Sequence, residues 1–572
     1  MNLGGSILRT IIIDKLFSNS FETGRKMLMK LSPDRLLAPC FEAMGKKPLA
    51  KRYGGWEAKG ISGHTLGHYM SALSLLYSAN GDTEAKNRAE YCVNTLKDLQ
   101  GENGYIAGFP ESESFGKVFS DPDGFTADGF ELAGWWVPYY SLHKILRGLI
   151  DVYENIGIQN ALPVAEKLGE WVYNTTSLLN SEQRLRLLKC EYGGMNEVLS
   201  RLYKHTGNEK FKTASEFFCE ENLFLPLSKS EDVLSGLHAN TQIPKIIGAL
   251  QVYLNGGEDY LYSAAKFFWD TVVNNRSYAI GGHGVAEHFS NNCELPLMTN
   301  TCETCNTNNM IKLSEMLWQK NKDGKYFDYI EKALYNHILP SQDEEGMKTY
   351  FVGLKPGNFK VYSTPEDSFW CCFGSGLENP FTYSKLIFDY NENLYVNLYI
   401  DSEFECESTS ARLRTVEENV KILEFTRDFS STIYLRKPRW CEDFKVKYGK
   451  NEYCESENGY VKISASFKAG DIVKIYLSRK PVLHKKQDDS KTVYFTYGEI
   501  LLAEDLGNKN YPESDHAAGE NDLTQQEEIY CSPLKSTDVK WCGDLRFAVD
   551  GHTLVPFYEI VHGRYRVYFD IV

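Results

Sequence analysis

The chain has 572 residues, of which 42% are hydrophobic and 24% are charged, and these ordinary proportions exclude disordered, collagen-like and coiled-coil proteins. Its net charge is −15 at pH 7 and no block of lysine and arginine stands out, so nucleic acid is not an expected partner. Aromatic residues make up 13% of the chain, which favours a carbohydrate partner because sugar rings stack on aromatic faces.

The first twenty residues, MNLGGSILRTIIIDKLFSNS, lack the long apolar core and the small-residue cleavage site of a secretory signal. No run of 18 apolar residues occurs, so neither a membrane span nor a membrane partner is expected. Fourteen cysteines are too dilute for a disulfide scaffold in a chain of this length, and we expect reduced thiols or metal ligands. These features predict a cytoplasmic protein.

A helical pattern repeats along the first two thirds of the chain. Five copies each combine an apolar stripe of helical period, a terminal aromatic residue, a Gly or Asn turn and a second amphipathic stretch. The terminal aromatic residues are Tyr77, Tyr153, Tyr203, Tyr253 and Trp318. A sixth pair can be assembled from segments 21–37 and 378–388. The repeats predict an (α/α)6-barrel catalytic domain over residues 1–389, with an irregular α-solenoid as the alternative.

From about residue 390 the apolar period changes from 3.6 to 2. Segments such as STIYLRKPRW, GYVKISASF and TVYFTYGEILLAE alternate, are rich in β-branched and aromatic residues, and are bounded by turn residues. We therefore expect antiparallel strands over residues 390–572, forming one or two β-sandwiches. The polar stretch 506–528 is typical of a surface loop.

Chemistry-bearing side chains concentrate between residues 278 and 378. One carboxylate and three thiols there have the composition of a tetrahedral zinc site. These four residues are Glu303, Cys305, Cys371 and Cys372. Spacing alone leaves two alternatives open: adjacent cysteines are often just small buried apolar residues, and Cys293 or Cys302 could be a ligand instead.

Several segments resemble the β-L-arabinofuranosidase clan of glycoside hydrolase families 127 and 146, and the resemblance covers most of the chain. The matching segments are YGGWE (53–57), GHTLGHYMSAL (63–73), WVPYYSLHK (136–144), EYGGMNEVLSRLY (191–203), LHANTQIPK (237–245), GGHGVAEHF (281–289), ETCNTNNMIKL (303–313) and FWCCFGSGLE (369–378). The ETCNT form is closer to family 146. The resemblance implies an (α/α)6 barrel followed by β-sandwich domains, in agreement with the periodicities.

The resemblance also implies an activity and its residues. Members of the clan are retaining glycoside hydrolases that release terminal β-L-arabinofuranose. Carried over to this sequence, Zn²⁺ is bound by the carboxylate and three thiols named above, Cys371 is also the nucleophile, and Glu287 is the general acid/base. A zinc-bound thiol is deprotonated at neutral pH, which explains how a cysteine can act as a nucleophile here. The expected partner is an arabinose-containing oligosaccharide, and the chain is a possible homodimer.

Other polar residues are candidates for substrate contacts, namely His64, His68, His143, His238 and Glu57. His64 and His68 lie four residues apart and could instead bind a metal or be buried and hydrogen-bonded. Glu294 is a rival proton donor in a segment typical of a solvated loop.

Two other classes of function remain open at this point. The same α/α toroid hosts metal-independent sugar epimerases and unsaturated-uronyl hydrolases, for which His64, His143 and His238 would be catalytic and the cysteine pair inert. A non-catalytic carbohydrate-binding protein would tolerate the loss of Cys371 and Glu287. Zinc content together with hydrolysis of an aryl β-L-arabinofuranoside distinguishes these classes.

Overall fold

A computed structural model describes residues 9–508 and 529–572. The described residues form 17 α-helices and 21 strands. The helices are α1 (Lys15–Lys30), α2 (Pro33–Ala43), α3 (His64–Asn80), α4 (Thr83–Leu99), α5 (Glu111–Ser114), α6 (Gly116–Ser120), α7 (Pro138–Ile156), α8 (Ala161–Thr176), α9 (Ser181–Leu187), α10 (Met195–Thr206), α11 (Glu209–Phe217), α12 (Glu221–Ser228), α13 (Ala239–Leu254), α14 (Asp259–Asn275), α15 (Thr304–Asn321), α16 (Lys325–Ala333) and α17 (Cys371–Ile387).

Six helices form a closed inner ring. Helices α3, α7, α10, α13, α15 and α17 each contact the next, and α17 contacts α3 to close the ring. Helices α4, α8, α11, α14 and α16 pack outside their sequence neighbours in the ring, and α1 packs outside α17. The predicted (α/α)6 barrel is therefore confirmed, including the sixth pair drawn from the two ends of the domain.

The turns within the helical pairs explain the repeated pattern. Three inner helices end at a glycine in the left-handed conformation, Gly81 (φ 76°), Gly157 (φ 81°) and Gly207 (φ 67°). Each glycine N–H donates to the carbonyl of the tyrosine four residues earlier. Left-handed φ carries little steric cost for glycine, so it ends one helix and lets the next begin at once.

Most of the described strands lie after the barrel. They are β1 (Arg9–Ile12), β2 (Glu131–Leu132), β3 (Trp135–Trp136), β4 (Phe388–Asn391), β5 (Asn393–Val396), β6 (Ser402–Glu405), β7 (Ser410–Glu417), β8 (Val420–Phe425), β9 (Phe429–Arg436), β10 (Lys445–Tyr448), β11 (Asn451–Tyr453), β12 (Tyr460–Phe467), β13 (Ile472–Tyr476), β14 (Pro481–Lys486), β15 (Asp489–Tyr497), β16 (Ile500–Gly507), β17 (Lys540–Gly543), β18 (Arg546–Val549), β19 (His552–Pro556), β20 (Arg564–Arg566) and β21 (Phe569–Asp570). Because β16 runs to Gly507, the first two residues of the predicted surface loop 506–528 belong to a strand, and residues 509–528 lie outside the described ranges.

Three sheets follow the barrel. A seven-stranded sheet (β1-β6-β7-β8-β13-β10-β11) faces a four-stranded one (β12-β9-β5-β4), and Phe425 of the first stacks on Phe467 of the second at 4.5 Å. Among the strands of the described residues, pairing is antiparallel except between β5 and β9. The prediction of antiparallel β-structure is confirmed, but it missed β1, which pairs with β6 from the opposite end of the chain. The predicted boundary at residue 389 stays a prediction; α17 ends at Ile387 and β4 begins at Phe388.

The third sheet supports loops of the barrel. It has eight strands, β14-β15-β16-β19-β18-β17 with β20 and β21 alongside, and it shares an apolar core with residues 278–280 and 352–354. The Tyr568 hydroxyl accepts a hydrogen bond from Ala279 N–H at 2.8 Å, and the Tyr565 hydroxyl donates to Gly353 O at 2.7 Å. These loops lead directly into the candidate site.

Among the described residues, no helix combines the length and apolar character needed to cross a bilayer.

Candidate active site and metal centre

Two helix N-termini meet at the thiols singled out by the sequence. Cys371 and Cys372 are the first residues of α17, Glu303 occupies the N-cap position of α15, and Cys305 lies in the first turn of α15. The Cys305 N–H points at Cys372 Sγ, 3.4 Å away. Unpaired N–H groups give a helix N-terminus a partial positive charge, which stabilises thiolates and carboxylates.

The four side chains converge in the interior. Glu303 Oε1 lies 3.5 Å from Cys371 Sγ and 3.7 Å from Cys372 Sγ, and the two sulfurs are 4.0 Å apart. One ligand atom from each of Glu303, Cys305, Cys371 and Cys372 lies within 4.8 Å of the others, and all four residues are buried.

This set of donors fits a tetrahedral ion. Zinc–sulfur bonds of about 2.3 Å place two thiolates of a tetrahedron roughly 3.8 Å apart, close to the separation of the Cys371 and Cys372 sulfurs. Glu303 Oε2 is buried without a hydrogen-bond partner, and a bound cation would satisfy it. Thiolates and a carboxylate form a donor set that suits zinc.

The four side chains of the cluster shift one another's pKa values. Burial, Cys371 and Glu287 together raise the pKa of Glu303 well above its usual range. Interaction with Cys305 raises the pKa of Cys371, whereas hydrogen bonds from Cys371 and Cys372 lower the pKa of Cys305 to about 6 despite burial. A divalent cation bound by these side chains would favour the thiolate form of the cysteines.

Glu287 lies beside this cluster. It has a left-handed backbone (φ 68°), and its carbonyl accepts a hydrogen bond from Ala239 N–H at 2.7 Å, which ties its loop to the start of α13. The Tyr350 hydroxyl donates to the Glu287 carboxylate and lies 3.8 Å from Cys371 Sγ. Tyr350 therefore bridges the predicted acid/base and the predicted nucleophile.

His238 is the second neighbour of Glu287. Its Nε2 is 3.8 Å from Glu287 Oε2, and its Nδ1 contacts the Thr241 hydroxyl at 2.8 Å. Burial raises the pKa of Glu287, but His238 and Tyr350 outweigh it and lower that pKa overall. Although burial opposes it, the proximity of Glu287 raises the pKa of His238. Each of the two groups thus favours the charged form of the other.

The other predicted substrate-contacting residues are all buried. Both ring nitrogens of His143 lack a hydrogen-bond partner, and burial lowers its pKa to about 3. His68 Nδ1 contacts Glu378 at 2.5 Å, and His64 Nδ1 contacts the Ile61 carbonyl at 2.9 Å. The Glu57 carboxylate accepts hydrogen bonds from the backbone N–H groups of residues 63 and 65 at the start of α3. Their contacts with substrate stay predictions.

The rival residues lie outside the cluster of ligand atoms. Cys293 and Glu294 are exposed, and Glu294 accepts a hydrogen bond from Asn291 at 2.9 Å. Cys302 is buried but is absent from the metal-compatible groups found among residues 9–508 and 529–572.

Sequence reasoning missed Tyr350 and two further buried groups. Glu191 accepts a hydrogen bond from the Thr241 hydroxyl at 2.9 Å, and its charge raises the pKa of His238 and of Glu303. Lys144 is a buried cation whose charge interacts with Cys305 and Cys371. Glu191 and Lys144 lie in segments that carry the family resemblance, and these segments could have identified them. Tyr350 lies in a loop that carries no such resemblance.

Comparison with known proteins identifies relatives of the whole chain. The profile of the β-L-arabinofuranosidase GH127 catalytic domain matches residues 11–385, and that of the GH127 middle domain matches residues 393–479. A non-reducing end β-L-arabinofuranosidase of Bifidobacterium longum subsp. longum is 25% identical over 343 residues, which cover 54% of this chain and 48% of the relative. The chain thus matches about half the length of that curated relative.

Solved structures share the whole fold. A GH127 β-L-arabinofuranosidase from Geobacillus stearothermophilus T6 superimposes with a TM-score of 0.75 at 16% identity, covering 98% of this chain and 100% of the other. A second GH127 β-arabinofuranosidase gives a TM-score of 0.76 at 18% identity, covering 99% and 98%. At these identities the structures establish the fold, and the profile, which matches more than half of the chain, establishes the family. The chain belongs to the GH127 β-L-arabinofuranosidase family of glycoside hydrolases.

Proposed function

We propose that the protein hydrolyses terminal β-L-arabinofuranosides of oligosaccharides with retention of configuration, using Cys371 as nucleophile and Glu287 as acid/base. One observation carries this proposal: the Tyr350 hydroxyl contacts both side chains, so a thiol of a metal-compatible cluster and a carboxylate lie on either side of one hydroxyl group. Retaining glycosidases need such a nucleophile and acid/base pair.

The first step forms a covalent bond to the enzyme. The Cys371 sulfur attacks the anomeric carbon, a carbon–sulfur bond forms, and the bond to the leaving oxygen breaks while Glu287 donates its proton to that oxygen. The free carboxylate is stabilised by Tyr350 and His238. Substrate entry removes water from Glu287, which raises its pKa towards that of a proton donor.

The second step regenerates the enzyme. Glu287 takes a proton from water, the oxygen attacks the anomeric carbon from the face that the leaving group vacated, and the carbon–sulfur bond breaks. Two inversions give net retention. Glu303, Cys305, Cys371 and Cys372 would hold a zinc ion, which when bound keeps the nucleophile as a thiolate and makes its sulfur a better leaving group.

The remaining predictions accompany this proposal. His143 and His238 are proposed to contact sugar hydroxyls, and His64, His68 and Glu57 to shape the pocket behind them. The closer relation to family 146, the cytoplasmic location and the homodimer stay predictions.

Hydrolysis of a 4-nitrophenyl β-L-arabinofuranoside, followed by proton NMR of the first sugar released, tests the proposal. We expect the β-anomer to form first in the wild-type protein. Cys371→Ser should abolish turnover, whereas Cys293→Ser, which changes an exposed thiol outside the cluster, should not. Initial release of the α-anomer, or full activity of Cys371→Ser, would contradict the proposed mechanism.

A further inference from the structure

An exposed aromatic ring borders the site on the side of the proposed proton donor. Phe130 is 42% exposed, and its ring packs edge-on against His238, with centroids 5.1 Å apart and planes at 81°. His238 in turn lies 3.8 Å from Glu287. Phe130 is therefore separated from the proposed proton donor by one imidazole ring.

The backbone holds Phe130 firmly in this position. It lies at the start of the β2–β3 hairpin, where its N–H donates to Asp128 Oδ1 at 2.8 Å and its carbonyl accepts from Val137 N–H at 2.9 Å. The hairpin is also attached to its surroundings on two sides. Gly129 O accepts from Glu191 N–H at 3.0 Å, and the Trp135 indole N–H donates to Gly60 O at 2.8 Å.

An exposed phenyl ring on a fixed hairpin suits one class of ligand. The leaving oxygen must approach Glu287 to receive a proton, so the group attached to it lies on this side of the site. Sugar rings present apolar C–H faces that pack on aromatic rings. The hairpin's charged side chains, Asp128 and Glu131, are both acidic and exposed, which disfavours an anionic leaving group.

We propose that Phe130 forms a leaving-group subsite that selects an uncharged sugar ring as the group released. This inference rests on the proposed function, because it takes Glu287 to be the proton donor. It adds to that function a residue, Phe130, that determines specificity for the group released.

The test compares two leaving groups. One substrate is a disaccharide in which β-L-arabinofuranose is linked to a neutral sugar, and the other is methyl β-L-arabinofuranoside, whose leaving group has no ring. For each protein, the ratio of kcat/KM for the disaccharide to kcat/KM for the methyl glycoside is measured. We expect Phe130→Ala to lower this ratio about tenfold relative to the wild-type protein, and Phe130→Leu to lower it similarly although the apolar volume is nearly constant. Phe130→Trp, which keeps an aromatic ring, should keep the ratio near the wild-type value.

Two further comparisons keep the outcomes distinct. Trp541→Ala removes a 45% exposed aromatic ring from β17 and should leave the ratio unchanged. If Phe130→Ala and Phe130→Leu lower both kcat/KM values equally, the ring acts only by supporting His238, and the subsite proposal is wrong while the proposed function stands. If the wild-type protein hydrolyses neither substrate, the proposed function fails and the subsite proposal fails with it.

Discussion

Replacing Tyr350 by Phe removes only the hydroxyl that links Glu287 and Cys371. The side chain is 2% exposed, and its ring packs against Phe351 at 4.7 Å and Trp370 at 5.7 Å, contacts that phenylalanine keeps. The lost interaction is a hydrogen bond to an ionised carboxylate, worth about 1.5–3 kcal/mol. Since each 1.4 kcal/mol corresponds to about tenfold, kcat/KM should fall roughly 10- to 100-fold.

The assay measures kcat/KM on an aryl β-L-arabinofuranoside, metal content and the melting temperature of the same preparations. Tyr105→Phe is the matched control, because Tyr105 is also 2% exposed but donates its hydroxyl proton to Phe109 O at 2.9 Å, away from the site. We expect the control to retain activity and Tyr350→Phe to retain its metal. A Tyr350→Phe enzyme with wild-type kcat/KM would refute the role assigned to this hydroxyl.

Three further predictions follow from the same geometry. Glu287→Gln should lower kcat/KM roughly 10²- to 10⁴-fold on a sugar leaving group but much less on an activated aryl glycoside, and equal losses on both would contradict its role as proton donor. Chelation of the metal should abolish hydrolysis and lower the melting temperature, and zinc should restore both; full activity of metal-free protein would contradict this. Glu378→Ala should cost about 3–5 kcal/mol in urea unfolding, because it removes the carboxylate that buried His68 and the half-buried Lys312 and Arg147 share, and within the described part of the chain only Arg147 keeps a second partner, Asp151. The control Glu315→Ala, which removes a partly exposed pair, should cost less than about 1 kcal/mol.

The barrel was predictable because its signals are local. An apolar stripe, an aromatic residue and a glycine such as Gly81 or Gly157 specify one helical pair, and the same signal recurs along the domain. Strand β1 was not predictable, because four residues are too few to show a period and its partner β6 lies nearly 400 positions away. Periodicity predicts an element, but it does not predict the partner of a short one.

The candidate site was likewise predictable only in part from the sequence. Glu303 and Cys305 are close in the sequence, and Cys371 and Cys372 are adjacent, so their chemistry was visible before the two helix N-termini were known to meet. Tyr350 was not visible, because tertiary contacts bring its hydroxyl to the site, among them the hydrogen bond that its carbonyl accepts from Thr304 N–H at 2.9 Å. The role of a side chain that bridges two elements depends on tertiary structure alone.

The most direct test of the account is to map the covalent intermediate. Glu287→Gln treated with an activated aryl β-L-arabinofuranoside should accumulate the glycosyl-enzyme, since the first step needs little protonation and the second lacks its base. Peptide mass spectrometry should then find one pentosyl unit on Cys371. A label on Cys372, on Glu303 or on any other carboxylate would contradict the assignment of Cys371 as nucleophile.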